Sequence, residues 1–316
     1  DEIILASTYN NDLNRNHYVN LHLQGPSQAL CGMTRALFCS YLCADGTRYT
    51  EREGYATEEF FASTCNRDPR LSQSIRTAGY HYPNQKNELL PDLGCTMTGY
   101  MLTKYVTNVT TVNGTNALPY FRYAEILLNY AEAKAELGML EQDDINLSIK
   151  LLRDRVGMPN MNMEKANSSP DPYLAEQYPG VSGPDKGVIL EIRRERGCEL
   201  ILENVRWDDD MRWGMGKLAE RPWYGVYVGE LDKAYDMDGD GKDDVCFVRK
   251  EPERPQAGIT YRVLGDDFSL TDGDSGYIEC YIRMTRKWDD KKYVRPIPTT
   301  ALNDNPALGQ NYGWEK

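Results

Sequence analysis

Asp185–Gly214, DKGVILEIRRERGCELILENVRWDDDMRWG, decides how the rest of the chain is read. At helical spacing Ile189, Ile192, Arg196, Glu199 and Glu203 form one row. Ile189, Arg193, Leu200 and Asn204 form the row beside it. An ordinary surface helix keeps apolar residues on such a stripe and charges opposite. Here arginine and glutamate share the apolar row, which predicts charged side chains buried as ion pairs. Losing one partner of such a pair strands a charge away from water. Trp207 and Trp213 follow as large apolar anchors, with Arg206 and Arg212 set between carboxylates.

Two helical segments flank this stretch on its N-terminal side. LPYFRYAEILLNYAEAKAELG (Leu118–Gly138) steps its apolar residues by three and four through Phe121, Ala124, Leu128, Ala131 and Ala135. Gly138 stops it. Asp143 or Asp144 is placed to cap a second helix with Ile145, Ile149, Leu152 and Val156 in its row, ended by Gly157-Met158-Pro159. Residues 118–157 thus read as a helical hairpin. One such unit cannot bury its own face, so residues 186–203 must help cover it.

IRRERGCELILENVRWDDDMRWG resembles the arginine-rich helix and following turn of the SusD/RagB family, surface nutrient-binding lipoproteins of Bacteroidetes. Leu118–Gly138 resembles the family's helix that opens a late TPR hairpin, and INLSIKLLRDRVGMP (Ile145–Pro159) resembles its partner. YVRPIPTTALNDNPALGQNYGW (Tyr293–Trp314) resembles the family's C-terminal signature. The segments occur in the family's order. The sequence departs from the family pattern at Asn204-Val205, usually Gly-His, and at Asp209-Asp210, in a usually more apolar turn.

The resemblance implies a mainly α fold of TPR-like helical hairpins, an α-α superhelix, with an extensive irregular loop layer in one unit over residues 1–316. It implies non-catalytic capture of oligosaccharides at the outer face of the outer membrane. Delivery would be to a TonB-dependent, SusC-like transporter barrel that the binding protein covers like a lid. Peptide capture is the alternative within the family, and a carbohydrate-active hydrolase is the alternative from another class. Members are much longer than 316 residues. The chain is therefore expected to be the C-terminal part of a longer protein. The missing N-terminal part would carry the lipid anchor and bury an apolar face that the hairpin leaves open.

Composition agrees with a globular chain of one or two domains: 41% hydrophobic and 27% charged residues. A net charge of −12 and the lack of a basic tract argue against a nucleic-acid partner. No apolar run reaches membrane-spanning length. The first ten residues have no features of a signal peptide. Eight cysteines include no CxxC pair, which speaks against zinc or thioredoxin-like chemistry and for small buried thiols. Disulfides stay open if the protein faces the outside.

Along the remaining chain, Ile3-Ile4-Leu5 suggests a short strand, followed by a loop to Gly25-Pro26. Residues 33–42 suggest one helix. Residues 97–106 and 109–112 suggest strands, and residues 158–185 a long loop. A hairpin is expected around Asp272-Gly273. The tripeptides Asn108-Val-Thr110 and Asn113-Gly-Thr115 fit a glycosylation sequon but carry little meaning in a bacterial protein.

Asp236, Asp238 and Asp240, with Gly241 at position six, have calcium-loop spacing. Lys242 holds position seven and Asp244 position nine. Phe247 stands at position twelve, where a full EF-hand has its bidentate glutamate. The reading is a stand-alone Ca2+ loop, against a plain solvated acidic turn. Tyrosine is in excess, 22 against 6 phenylalanines, which suits half-wet binding surfaces. A sugar ring offers C–H faces to an aromatic ring and hydroxyls to polar groups. In the resembled family, glycan sites are built this way, partly from the region equivalent to residues 35–90. The matching residues are Tyr41, Tyr49, Tyr55, Tyr80, His81 and Tyr82, with Asn84 and Arg52 as polar partners and Trp223 and Tyr224 as outlying candidates. Individually, each tyrosine is more simply read as packing. No local signature selects a catalytic acid/base pair. Glu195, Glu199 and Glu203 stand among arginines, which depress carboxylate pKa rather than raise it.

Overall fold

The computed structural model describes residues 2–28, 30–107, 113–265 and 268–315. The N-terminal apolar run forms β1 (Ile3–Ser7), and α1 (Val19–Gln24) follows where a loop is expected. α2 (Arg35–Ser40) is capped by the Thr34 hydroxyl, which accepts from the Leu37 amide. α3 (Phe60–Thr64) and α4 (Pro69–Ser74) come next, with Asp68 capping α4 ahead of Pro69 in its first turn. Residues 97–106 form no strand. They thread the core, tied by the single bridges Gly32↔Met101 and Ile75↔Leu102, with Met97, Tyr100, Met101 and Leu102 buried. The strand expected at 109–112 and the sequon at Asn108 lie outside the described residues.

The hairpin at 118–157 exists with different boundaries. Its first residues form β2 (Leu118–Arg122), antiparallel to β1, so α5 (Tyr123–Glu136) starts later than the periodicity suggests. Phe121 is consequently exposed on a strand rather than packed in the helical row. Ala124, Leu128, Ala131 and Ala135 are buried as their spacing requires. The partner helix is interrupted at Ser148, giving α6 (Gln142–Leu147) and α7 (Ile149–Arg155). The Ser148 hydroxyl donates to the Asp144 carbonyl at 2.6 Å, satisfying the freed backbone. Glu141 is the N-cap of α6, and Asp144 closes the capping box. Residues 158–185 are not one loop. They hold α8 (Met163–Ser168) and α9 (Pro172–Gln177), capped by Asn162 and Asp171.

α10 (Lys186–Glu199) packs against α2, α4, α5, α7, α8 and α9. Its start is fixed by α8: the Asn167 side-chain oxygen accepts from the Val188 amide at 2.8 Å. A Cβ on Gly187 would stand 1.8 Å from the Ala166 carbonyl oxygen, so only glycine admits this approach. The helix ends at Glu199, short of Glu203. Leu202 and Asn204 take positive φ of 62° and 63° and turn the chain into α11 (Arg206–Arg212).

Most charges of α10 are buried and closely paired, as the mixed row predicts; Arg193 is buried without a close partner. Glu195, 1% exposed, accepts from Arg70 of α4 at 2.9 Å and from Arg153 of α7 at 2.6 Å. Glu199 receives Arg155 on both oxygens at 2.8 Å and Arg122 at 3.0 Å. Arg194 donates to Asp171 and Glu191. Arg196 meets Asp209 of α11 through two bonds of 2.9 and 2.8 Å. Asp209, which lies in a helix rather than in the expected turn, is therefore the buried counter-charge of Arg196. Glu203 lies in the turn and binds Arg122 at 2.7 Å and Lys104 at 2.5 Å.

The C-terminal third is built largely of strands and loops, which corrects the mainly α expectation for this part of the chain. β3 (Trp223–Val228), β4 (Ala234–Tyr235), β5 (Val245–Val248), β6 (Thr260–Val263), β7 (Phe268–Leu270) and β8 (Gly276–Cys280) form two small sheets, ordered β3-β8-β7 and β4-β5-β6. The β7–β8 hairpin turns at Asp272-Gly273, as expected from that dipeptide. α12 (Thr299–Asp304) follows within the C-terminal signature. One apolar core joins Phe38, Tyr49, Tyr100, Val226 and Phe247 from loops and sheets. A second joins Leu128, Ile145, Val188 and Leu190 from the helices. α10 stands between them, giving Cys198 to the first and Ile192 to the second. The outer stripe of α5, Tyr123, Ile126 and Tyr130, is exposed in this chain.

Burial alone would raise the Glu195 pKa, but Arg153 and Arg70 outweigh it and hold the group at about 2. Its folded pKa is depressed, so its stabilisation is present above the ordinary value of 4.5 and is lost as pH falls from there toward 2. Glu195→Gln strands two buried guanidiniums and is expected to cost roughly 3–5 kcal/mol. Urea unfolding at neutral pH should show a much lower midpoint, and acid should destabilise the variant less than the parent. An unchanged midpoint would refute the role given to this pair.

Candidate functional site

α2, α9, α10, α11, β3 and β8 enclose a cleft of about 850 Å3, within the usual range for small-molecule sites. Its walls are aromatic. Trp207 of α11 is 52% exposed, so it faces the cleft instead of anchoring the helix. Its ring centre lies 6.3 Å from that of Trp288, which lies 4.9 Å from that of Tyr293. Trp288 reaches this place because Gly216 has no side chain; a Cβ there would stand 1.9 Å from the indole. The opposite wall carries Trp223 and Tyr224 on β3 and Tyr277 on β8, with the Tyr224 and Tyr277 rings 6.0 Å apart. Trp213, by contrast, is partly buried and anchored: its Nε1 donates to Glu132 at 2.6 Å.

Polar groups converge among these rings. Arg35 lies over the Tyr277 ring at 4.2 Å and donates to the carbonyls of Tyr55 and Ala56 at 3.0 and 3.3 Å. The Tyr277 hydroxyl donates to the Ala56 carbonyl at 2.7 Å, closing that end of the cleft. Arg206 donates to Asp210 and to the Tyr178 hydroxyl, the latter at 3.0 Å. Arg221 donates to the Gln177 side chain at 2.9 Å and the Glu176 carbonyl at 3.0 Å. Flat apolar faces beside fixed donors are what a pyranose ring requires: stacking on C–H faces and hydrogen bonds to the hydroxyls between them.

Of the tyrosines expected at the site, only Tyr55 lines this cleft, joined by the outlying candidates Trp223 and Tyr224. Tyr41 and Tyr49 are 0% exposed and belong to the core. The Tyr41 hydroxyl donates to Ser74 and to the Cys198 carbonyl, and Tyr49 packs edge-on against Phe38. Neither ring offers a face to a ligand. Tyr82 is also buried, bonded through its hydroxyl to Arg76 and Gln24. Tyr80 packs edge-on against Tyr82, and burial raises its phenol to about 12. His81 is exposed beside them with Asn84, away from the cleft. Arg52 is engaged by Glu58 and the Cys65 carbonyl. Sequence reasoning missed Tyr173, Tyr277 and Trp288 and misread Trp207. These residues come from separate segments, and no local pattern links them.

The acidic loop brings Asp236, Asp238 and Asp244 together, with ligand oxygens within 4.8 Å of one another. Asp236 accepts from the amides of Asp238, Gly239 and Gly241, curling the loop around its carboxylate. Gly239 and Gly241 hold φ of 82° and 84°. Burial and then the neighbouring carboxylates raise the Asp244 pKa, although the Met237 amide opposes them. Asp240 stands outside the cluster and pairs with Lys242 at 2.5 Å. Position twelve, Phe247, is buried in β5 and supplies no side-chain ligand. Three carboxylates are a hard oxygen donor set that fits Ca2+.

The SusD family model matches residues 1–314. No curated protein matches the chain. Among solved structures, the chain is similar to a SusD-like protein from Bacteroides fragilis, with 19% identity and a TM-score of 0.59, over 99% of this chain and 54% of that one. It is also similar to a SusD-like carbohydrate-binding protein from Bacteroides fragilis, with 22% identity and a TM-score of 0.58, over 98% and 54% of the two chains. At such identities the likeness is one of fold, and the chain spans about half the length of these relatives. On the match over residues 1–314, the chain belongs to the SusD family.

Proposed function

We propose that this protein captures oligosaccharides at the extracellular face of the outer membrane and passes them, unaltered, to a TonB-dependent, SusC-like transporter. The observation that carries the reading is the cleft between the helical half and the β3–β8 sheet, where Trp207, Trp223, Tyr224 and Tyr277 surround fixed polar donors. Family membership supports it, as does the description of one relative as carbohydrate-binding. The glutamates of α10 do not suit acid catalysis, because arginines hold Glu195 and Glu199 below the ordinary range against the effect of burial. The hairpin of α5 to α7 fits one unit of a TPR-like stack. In the acidic loop, Asp236, Asp238 and Asp244 would hold a Ca2+ ion, which fixes the loop and performs no chemistry.

A glycan array, followed by calorimetry on the best ligand, tests the cleft. Trp207→Ala and Trp223→Ala should each weaken binding by roughly threefold to tenfold, the worth of one aromatic stacking contact. No reducing ends should appear on long incubation. Unchanged affinity in both variants would place the site elsewhere, and release of reducing ends would overturn the non-catalytic reading.

Tyr41→Phe is expected to leave affinity unchanged and to cost about 1 kcal/mol of stability, the net worth of a buried hydrogen bond. Weakened binding with unchanged urea unfolding would reverse that assignment.

Titration with Ca2+ should give saturable heat that Asp236→Asn abolishes, with oxygen ligands at roughly 2.3–2.6 Å in a calcium-soaked crystal. A silent titration would remove calcium from the account.

A further inference from the structure

Six arginines and three carboxylates line the cleft, in a protein whose net charge is −12. The carboxylates are largely used locally. Asp209 is consumed by Arg196 and Arg212, and Asp210 by Arg206. Arg194 is neutralised from behind by Asp171 and Glu191. Three guanidiniums stay without a close counter-ion. Among the described residues, no carboxylate forms an ion pair with Arg35 or Arg221; their bonds go to carbonyl, amide and phenol oxygens. Arg193 is 7% exposed, its Nε is buried with no hydrogen-bond partner, and its nearest carboxylate, Glu136, is 3.8 Å away and half exposed. The Trp213 and Tyr178 rings flank it at 4.4 and 5.1 Å, and burial draws its pKa below the ordinary arginine value. Behind the wall, Arg286 lies over Trp223 at 4.6 Å and donates to the Arg221 carbonyl at 3.0 Å. Among the described residues, the only cleft carboxylate without an ion pair is the exposed Glu176.

A neutral oligosaccharide gives such guanidiniums hydroxyl acceptors only. A carboxylate or sulfate gives them charge-assisted bonds, roughly twice as strong, and paired oxygen acceptors that match the guanidinium fork. We infer that the cleft selects acidic oligosaccharides, with a uronate carboxylate or a sulfate ester seated among Arg35, Arg193 and Arg221 while the sugar rings stack on Trp207 and Trp223. The inference rests on the reading of this cleft as a glycan site. It goes further in naming the ligand's charge and the residues that receive it. A positive lining draws an anionic ligand toward the cleft and disfavours none of its neutral parts.

The test uses the 316-residue chain and two panels of polysaccharides in affinity electrophoresis. The acidic panel is polygalacturonate, alginate, hyaluronate, chondroitin sulfate and heparin. The neutral panel is starch, xylan, mannan, laminarin and fully methyl-esterified pectin. Retardation by members of the acidic panel is expected, with affinity falling several-fold between roughly 50 and 500 mM salt as charges are screened. Two variants read the sign of the effect at the cleft. Arg221→Gln should weaken acidic binding by roughly tenfold. Glu176→Gln should strengthen it by about twofold, the scale of an exposed charge contact. Binding of neutral members alone, insensitive to salt and to both variants, would overturn the inference and leave glycan capture standing. Binding of acidic members that ignores both variants would overturn the cleft as the anion's seat. Failure to retard on either panel would overturn this inference together with the glycan reading.

Discussion

A carboxylate buried between two arginines is the constraint on which the rest of this structure depends. Glu195 lies between Arg70 of α4 and Arg153 of α7. A charge so far from water is tolerable only when its partners are in place and the remaining bonds are satisfied. The pairs therefore fix register. α4 belongs to the loop-and-sheet side and α7 to the helical side, and both must meet α10 at one turn. Glu199 adds Arg122, which follows strand pairing with the N-terminus, and Arg155 from the end of α7. An apolar seam of the same area would bind the halves as well, but it would accept sliding more easily. Ionic pairs with fixed geometry do not.

The same helix sets the cleft. Where α10 ends, positive φ at Leu202 and Asn204 reverses the chain, and Arg196 captures Asp209 to hold α11 across the turn. α11 then presents Trp207 outward, opposite the aromatic edge of β3 and β8. The wall of the cleft is thus a by-product of charge pairing inside the molecule. Among the arginines lining the cleft, carboxylates pair with Arg194, Arg196 and Arg206, while Arg35, Arg193 and Arg221 have no close counter-ion among the described residues.

Tyrosines 41, 49 and 82 show why composition misleads about sites. A phenol is half apolar, and its hydroxyl needs only one acceptor to be buried at little cost. Ser74, Cys198 and Gln24 supply those acceptors from distant parts of the chain. A tyrosine-rich loop region and a tyrosine-rich core therefore look alike in sequence. The acidic loop is the opposite case. Its spacing, its glycines and its backbone contacts all lie within nine residues, and the three clustered carboxylates were among those its spacing named. Asp240 alone departs, because Lys242 two residues on competes for it.

By itself the sequence determined the helical row of α10 with its buried pairs, the hairpin's core residues, the Asp272-Gly273 turn and the family. All but the family rest on spacing within one element, where periodicity or a turn's backbone requirement is a local property, and the family rests on several such segments in order. Only the tertiary structure decided that Leu118–Arg122 is a strand, since that depends on pairing with residues 3–7. Only it decided which aromatics are walls and which are core. Only it decided which arginines lack a close counter-ion among the described residues. These are questions of what lies opposite a side chain across distant parts of the sequence. Arg35 beside Tyr277 and Trp288 over Gly216 are contacts between segments that share no spacing, so no reading along the chain contains them.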